Sequence, residues 1–441
     1  MMPSSRFFLS MALGALALGR PAGSAAQELT PDEALRRALE SHPSLAAARA
    51  RVESADEGAA TARAARLPGV SLSTSLTRFE EPMIVFPLHR LDLSEPPSFD
   101  RTLVQGRAGF TYTVFDAGER SSRIDGAGAA AEATAYGLAI TEMTLTEAVL
   151  TAYVGTLSAR AVADAAAARV RAVEQEVART EQSLQAGTVA EVDVLRARAA
   201  LQDARAGEAT ATARVGLAER SLARVTGVPL DEMRNRALTD VAISGAGSDG
   251  VDARSPTIER ARRMVAAAES TVREQRAGRL PELRASAAIL DFGTLSGDHV
   301  LEWQAGVQLS WSVFNGGARS AAIRRADADL RAARSELDLA ELNVAAEEDA
   351  ADAAITEADA RAEALEAAVR QWTEVARIEA LALDVGSGVQ SDLLRAQASL
   401  FNAQAGYARA RYDAVLARVS RARAQGVLDI QWVEEALEIQ R

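Results

Sequence analysis

The chain contains one sequence pattern twice, and this duplication constrains its fold more than any other feature. FDAGERS at residues 115–121 returns as FNGGARS at residues 314–320. Likewise, GTVAEVDVLRARAAL at 187–201 returns as GSGVQSDLLRAQASL at 386–400. Both pairs are 199 positions apart (314 − 115 = 199 and 386 − 187 = 199). Solenoid repeats are only about 20–50 residues long, so this period indicates duplication of a whole structural half.

A second set of matches extends the duplication toward the N-terminus. Arg66–Pro68 matches Arg279–Pro281, and Pro43 matches Pro256, both 213 positions apart (281 − 68 = 213 and 256 − 43 = 213). The first copy therefore has 14 extra residues (213 − 199 = 14) between its Leu-Pro pair and the FDAGERS motif. The predicted organisation is a first repeat at 27–228, a linker or equatorial segment at 229–255, a second repeat at 256–428 and a C-terminal tail at 429–441.

The first 26 residues have the form of a secretory signal peptide. Arg6 provides the positive flank, Phe7–Leu18 is an apolar run of 12 residues, and Ser24–Ala26 offers small residues for cleavage. Twelve helical residues reach about 18 Å, which is too short for a bilayer core of roughly 30 Å. We therefore exclude residues 1–26 from the fold and expect an exported protein. No later apolar run approaches 18 residues, so we predict no transmembrane helix.

The composition excludes several classes of function. The chain has no cysteine, so it forms neither disulfides nor thiolate metal sites. Its net charge of −12 argues against a nucleic-acid partner, because phosphate binding requires a basic surface. A nucleophile elbow, a phosphate loop and a zinc signature are all lacking, so we expect no enzyme and no catalytic, cofactor or metal site. The scattered residues His42, His89 and His299 are interpreted as surface or loop histidines. The acids Asp349, Asp352 and Asp359 are spaced like metal ligands but are interpreted as facing water or a lumen.

Helices dominate the predicted structure. The segment 318–383 contains neither proline nor glycine, and its apolar residues recur at steps of three and four. A helix of this length is a rod of roughly 100 Å. Gly187 and Gly386 end the long helix of each copy and suit a left-handed C-terminal cap. Each half is thus predicted to carry one long helical hairpin, at 119–226 and at 318–425.

Four short segments interrupt the helical pattern with period-two alternation, which indicates strands with one apolar and one polar face. They lie at about 69–78, 103–115, 282–291 and 300–313. The alternation is clearest in the fourth, where Leu301, Trp303, Ala305, Val307 and Leu309 alternate with polar residues and glycine.

Four strands of about ten residues are long enough to cross a bilayer at a tilt, yet they cannot close a barrel. An open sheet edge is not tolerated in lipid, because its unpaired N–H and C=O groups each cost several kcal/mol. Two chains would give eight strands with a nearly filled interior, whereas three would give twelve strands around a water-filled lumen. The apolar faces then suit lipid, with Trp303 and Trp311 at the interfaces. The alternative is an ordinary antiparallel sheet on a soluble helical domain.

The ordered set of motifs, present twice in one register, resembles the TolC-type family of outer membrane efflux proteins. The matching residues are the Leu-Pro pairs 67–68 and 280–281, the FDAG and FNGG motifs, and the segments that follow Gly187 and Gly386. The resemblance implies a mainly α fold with a transmembrane β portion. In this fold, duplicated helical hairpins form a periplasmic tunnel, and four strands per protomer contribute to a twelve-stranded barrel.

The resemblance also implies a function and partners. A homotrimer in the outer membrane lipid of a Gram-negative cell, with a large periplasmic portion, would be the passive exit duct of a tripartite efflux or type I secretion system. A periplasmic adaptor protein would couple it to an inner-membrane transporter. The rival hypothesis is a non-channel periplasmic coiled-coil scaffold or adaptor.

The tips of the hairpins are the expected functional site. In the resembled family this region contacts the adaptor, and acidic residues narrow the entrance. The corresponding tip residues here are Gly187, Thr188, Val189, Gly386, Ser387 and Gly388. Asp392 matches the constriction acid, Asp193 is its counterpart in the first half, and Arg395 stands where some family members have a second acid. The alternative role of both aspartates is to complement helix N-terminal dipoles, worth about 0.3–1 kcal/mol.

The junctions between strand and helix are predicted to be structural. The prolines stop each rising helix before its strand, the glycines permit a tight turn, and Asp116 or Asn315 can cap the following helix. The junction residues are Pro68, Phe115, Gly118, Pro281, Phe314 and Gly317.

Overall fold

The computed structural model describes residues 28–85, 87, 94, 99–243, 255–297 and 299–440. The predicted signal peptide and His89 lie outside the described residues. The first half comprises α1 (Pro31–Ser41), α2 (Pro43–Ala64), β1 (Gly69–Ile84), β2 (Phe99–Phe115), α3 (Glu119–Gln185) and α4 (Glu191–Thr226). It is followed by α5 (Leu230–Asn235) and β3 (Asp240–Ile243). The second half comprises α6 (Pro256–Ala277), β4 (Glu282–Gly293), β5 (His299–Ser310), α7 (Ala318–Asp384) and α8 (Gln390–Ala424), followed by α9 (Ile430–Ala436) and β6 (Leu437–Gln440).

The predicted duplication is confirmed in the element order. In each half, a helix of 22 residues leads into two strands, and a helix of 67 residues then turns back at the tip. Pro43 and Pro256 start the two shorter helices, where a missing N–H costs nothing. Among the described residues, none of the helices has a stretch apolar enough to span a bilayer.

The four predicted strands form one antiparallel sheet in the order β1-β2-β4-β5. Residues paired across neighbouring strands point to the same face, so the register shows how side chains are distributed. One row across the sheet contains Leu72, Ala108, Ile289 and Trp303, and the next row, on the opposite face, contains Ser71, Gly109, Ala288 and Gln304. The apolar face predicted from alternation is therefore continuous over all four strands, and many of its large side chains are exposed in the single chain.

The limits of the strands differ from prediction at two places. The first hairpin is longer than expected, because pairing resumes beyond Arg78 with a register shift and continues to Ile84. The fourth strand ends at Ser310 rather than at residue 313. Ser310 pairs with Glu282, and the residue before Glu282 is Pro281, which has no N–H to continue the ladder. The Trp311 indole instead donates a hydrogen bond to the Arg279 carbonyl oxygen at 3.0 Å.

The predicted linker and C-terminal tail contain structure that the sequence did not indicate. The linker supplies α5 and β3, and the tail supplies α9 and β6, which pairs antiparallel with β3. Met233, Val241 and Val433 from these elements are buried in the main core together with Tyr153 of α3. The Tyr153 hydroxyl lies 2.6 Å from the Leu29 carbonyl oxygen and 2.9 Å from that of Thr239. The layer formed by α5, β3, α9 and β6 therefore joins both ends of the described chain to the first hairpin.

Candidate functional site

The two hairpin tips have the same backbone geometry. Gly187 and Gly386 adopt φ values of +72° and +76°, in the left-handed region that favours glycine. The N–H groups of Thr188 and Ser387 bond the Ser183 and Ala382 carbonyl oxygens, both at 2.9 Å. This five-residue span is the Schellman closure of a helix C-terminus, so the predicted left-handed caps are confirmed.

The side chains of Thr188 and Ser387 form hydrogen bonds within their own turns. The Thr188 hydroxyl donates to the Ser183 carbonyl oxygen at 2.9 Å, and the Ser387 hydroxyl donates to that of Ala382 at 3.2 Å. Gly388 is required for a different reason, since a Cβ there would lie 2.7 Å from the Leu383 backbone nitrogen. Its counterpart in the first half is Val189, so the second turn is tighter than the first.

The predicted constriction residues lie at the start of the returning helices. Arg196 donates to an Asp193 carboxylate oxygen at 3.2 Å, and Arg395 donates to one of Asp392 at the same distance. Each aspartate is in the first turn of its helix, where the dipole favours a negative charge. The structure thus brings Asp392 and Arg395 together as an exposed ion pair.

Just behind the tips, a buried polar network joins the first hairpin to the second. Glu176 of α3 is only 5% exposed, and Arg179 donates two hydrogen bonds to its carboxylate at 2.9 and 3.0 Å. The Gln390 amide of α8 donates to Glu176 at 3.1 Å and also contacts the Thr180 hydroxyl. Arg179 further reaches Asp384 at the end of α7, at 3.1 Å. The network is a specific link between α3 and the second hairpin, and a buried charge makes it costly to break.

Sequence reasoning missed this network. The sequence does contain one sign of it, because Glu176 lies between Val173 and Val177 on the apolar stripe of α3. A carboxylate on a buried helix stripe is rarely tolerated without a partner. The identity of that partner was not readable, because Gln390 is 214 residues away.

At the first junction, Asp116 is the capping residue that the sequence predicted. Its carboxylate accepts from the N–H groups of Gly118 and Arg120 at 3.2 and 3.3 Å, and from the Arg120 side chain. Gly118 adopts a φ of +88°. Burial alone raises the pKa of Asp116, but the hydrogen bonds and charge of Arg120, together with the Gly118 N–H, outweigh it and lower that pKa below its usual value. In the second copy, Asn315 accepts from the Arg319 N–H at 3.3 Å, without a charge.

Asp116→Asn is expected to remove a charge contribution of about 1 kcal/mol to stability while keeping the hydrogen-bond acceptor. Because the folded-state pKa is lowered, this contribution is present above the unfolded pKa of about 4 and is lost as pH falls through the folded value. Thermal unfolding of the two proteins should therefore differ at pH 7 and converge in acid. A constant difference across the whole pH range would contradict the charge assignment.

The functional class follows from the family to which these elements belong. The family model described as outer membrane efflux protein matches residues 34–228 and 249–427, which include both hairpins and all four strands of the sheet. The chain belongs to the outer membrane efflux protein family. No protein of curated function matches it.

Solved structures share the fold of this efflux protein at low sequence identity. VceC from Vibrio cholerae is 20% identical with a TM-score of 0.79, over 90% of this chain and 96% of that one. CmeC from Campylobacter jejuni is 16% identical with a TM-score of 0.76, over 97% and 94% of the two chains. The open state of MtrE from Neisseria gonorrhoeae is 20% identical with a TM-score of 0.72, over 90% and 89%. CmeC and MtrE are described as outer membrane channels, and VceC as an outer membrane protein.

Other charged residues of the efflux protein form surface pairs. Asp359 accepts two hydrogen bonds from Arg418 at 2.7 and 2.9 Å, across the α7–α8 hairpin. His42 caps α2 through its ring nitrogen, whereas His299 lies 3.0 Å from Asp291 at the far end of the sheet. Within the described ranges, no group of three or more histidine or acidic side chains is placed to hold a metal ion.

Proposed function

We propose that this protein is the passive exit duct of a tripartite efflux or type I secretion system, formed by three copies of the chain in the outer membrane. A periplasmic adaptor would couple the trimer to an inner-membrane pump. The observation that carries the proposal is the four-stranded sheet, which has a continuous exposed apolar face and two edge strands, β1 and β5. Family membership supports the same conclusion.

The topology of the sheet suits closure by repetition. All neighbouring strands are antiparallel, so β1 and β5 run in opposite directions. β5 of one copy can therefore pair antiparallel with β1 of the next, and each added copy repeats the same contact. Three copies give twelve strands, whose polar face would surround water and whose apolar face would meet lipid. Closure also removes the edges that lipid does not tolerate.

The hairpin tips are proposed to dock the adaptor and to form the gate. The turn residues Gly187, Thr188, Val189, Gly386, Ser387 and Gly388 lie at the far end of the helices from the sheet. Asp392 and Arg395 follow in the second tip, at the proposed entrance, and Asp193 occupies the equivalent place in the first. The buried link from Glu176 to Gln390 holds the two hairpins together at this end and would have to loosen when the tips move.

A bulky β-branched residue at a tip glycine is expected to reduce export while trimers still assemble. Gly388→Val should have the larger effect, because its side chain would collide with the backbone of Ala382 and Leu383. Gly187→Val and Gly386→Val meet open space and incur only the left-handed backbone penalty, of roughly 1–2 kcal/mol. Export by cells carrying each variant is the measurement, with trimers checked on gels. Val189→Gly is the matched control, and unchanged export by Gly388→Val would contradict the tip assignment.

The proposed function is tested with the purified mature chain. We expect extraction only in detergent, a trimeric mass by light scattering, and stepwise ion conductance in planar bilayers. A scaffold or adaptor would instead be an elongated particle that is soluble without detergent and gives no conductance. That second result would overturn the proposal.

A further inference from the structure

A basic layer lies at the end of the sheet where the strands join the helices. Gly69 pairs with Thr111 and Glu282 pairs with Ser310, so four connecting segments meet at this end. They are the helix ends 60–68 and 273–281 and the helix starts 115–125 and 314–324, which the duplication relates in pairs. Together they contain nine arginines and four acids, a net charge of +5, whereas the whole chain carries −12. Positive charge is therefore concentrated beside the sheet.

The two copies contribute unequally to this basic layer. The helix start of the first copy has a net charge of −1, and that of the second copy has +2. In the first, the Asp116 carboxylate accepts a hydrogen bond from the Arg120 side chain and neutralises it. The second copy has Asn315 in place of the aspartate, so Arg319 has no carboxylate there and donates instead to the Ser312 carbonyl oxygen at 2.6 Å.

At the second junction, two arginines lie beside an exposed aromatic segment. The Trp311 indole donates to the Arg279 carbonyl oxygen at 3.0 Å, and Arg319 bonds the next residue, Ser312. Trp311 and Phe314 are 59% and 85% exposed. Among the residues that the structure describes, no carboxylate pairs with either arginine. The junction therefore combines unneutralised guanidinium groups with large apolar side chains that are open to their surroundings.

We propose that Arg279, Arg319, Trp311 and Phe314 bind an anionic phospholipid, with the arginines on its phosphate group and the aromatic side chains against its acyl chains. The inference rests on the proposed function, in which the apolar face of the sheet meets lipid. Trp311 directly follows the last strand residue, which places it at the border of that face, where headgroups begin. Guanidinium groups match phosphate oxygens in geometry, and two unneutralised ones favour a headgroup with a net negative charge.

Lipid titration of the detergent-purified full mature chain tests the proposal. The probes are dioctanoyl phosphatidylglycerol and dioctanoyl phosphatidylcholine, which differ in headgroup charge but have the same acyl chains. Native mass spectrometry of the trimer counts the bound lipids. We expect phosphatidylglycerol to bind at least about fivefold more tightly, since one basic residue near an anionic surface contributes about that factor. The preference should fall as salt is raised. Inorganic phosphate at the same concentration should not compete, because it has no acyl chain.

Arg279→Gln combined with Arg319→Gln is expected to lower the affinity for phosphatidylglycerol about 5- to 25-fold. Arg370→Gln combined with Arg377→Gln is the matched control. It removes the same number of positive charges from α7, roughly 75 Å from Arg319 along the helix, so the affinity should not change. Heat-modifiable mobility of the trimer checks that each variant is folded.

A single conservative variant repeats the test without removing an arginine. Asn315→Asp gives Arg319 a carboxylate partner, as Asp116 does for Arg120 in the first copy. The first junction already has this arrangement, so the variant is expected to fold. It should lower the affinity for phosphatidylglycerol about two- to fivefold and leave phosphatidylcholine binding unchanged.

The outcomes separate this inference from the proposed function. Equal binding of the two lipids, or native affinity in both the double arginine variant and Asn315→Asp, would overturn the lipid site. Displacement of phosphatidylglycerol by an equal concentration of inorganic phosphate would assign the arginines to a free anion and also overturn it. Conducting trimers with any of these results would leave the exit duct standing. A chain that is soluble without detergent would overturn both.

Discussion

Arginine in place of Leu72 is expected to cost about 2–4 kcal/mol of stability per chain in the membrane, because it places a charge near the middle of the strand on the face that we propose meets lipid. Leu72 shares the apolar row with Ile289 and Trp303. The loss corresponds to a roughly 30- to 1,000-fold decrease in the equilibrium constant for folding. It is measured as the urea dependence of folding into lipid vesicles, followed by the heat-modifiable mobility of the trimer.

Ser71→Arg is the matched control. Ser71 is adjacent in sequence but points to the opposite face, in the row with Gly109 and Gln304. A water-filled lumen tolerates the charge there, so we expect less than about 1 kcal/mol of destabilisation. Equal destabilisation by both substitutions would mean that both faces are buried in similar surroundings, which contradicts a lumen.

The second large effect is expected at the buried link behind the tips. Arg179→Ala leaves the Glu176 carboxylate buried with only the neutral donors Gln390 and Thr180. Because the arginine itself is half-buried, we expect a cost of about 1–3 kcal/mol rather than the larger cost of a fully buried pair. If this energy holds the hairpins together, the population with separated tips rises about 5- to 150-fold. The open probability in planar bilayers is the measurement.

The chain offers a close control for this substitution. Arg377 pairs with Glu374 at the same three-residue spacing on α7, at 2.7 Å, but both side chains are exposed. Arg377→Ala should therefore change the open probability little, since exposed pairs are worth about 0–1 kcal/mol. Adding Glu176→Gln to Arg179→Ala removes the uncompensated charge and should restore most of the closed state. An Arg179→Ala channel that gates like the native protein would show that the link does not restrain the tips.

Much of the fold was predictable because it depends on local chemistry. The positions of the long helices were indicated by the helix period and by the glycine that follows each of them. The prolines indicated where the strands of the sheet begin. Each of these signals acts within a few residues. The sharing of one face by all four strands followed from alternation, and the duplicated motifs indicated that the second half repeats the first. The roles of Gly187, Gly386, Asp392 and Arg395 in docking and gating stay predictions.

Other features were decided by contacts between distant parts of the chain. The pairing of β3 with β6 joins four-residue strands about 200 positions apart, and strands this short have no period to detect. The fourth strand ends at Ser310 because Ser310 pairs with Glu282, and the residue before Glu282 is Pro281.

Equivalent positions in the two copies of the duplicated sequence differ in burial. The duplicated sequence by itself determined that this protein has two matching helical hairpins and four amphipathic strands, because periodicity and capping are local. Only the tertiary structure decided that Glu176 is a buried, partnered charge, whereas its counterpart Val375 on α7 is 37% exposed. The physical reason is that the cost of a charge depends on the solvent it loses, and packing across the whole chain sets that loss.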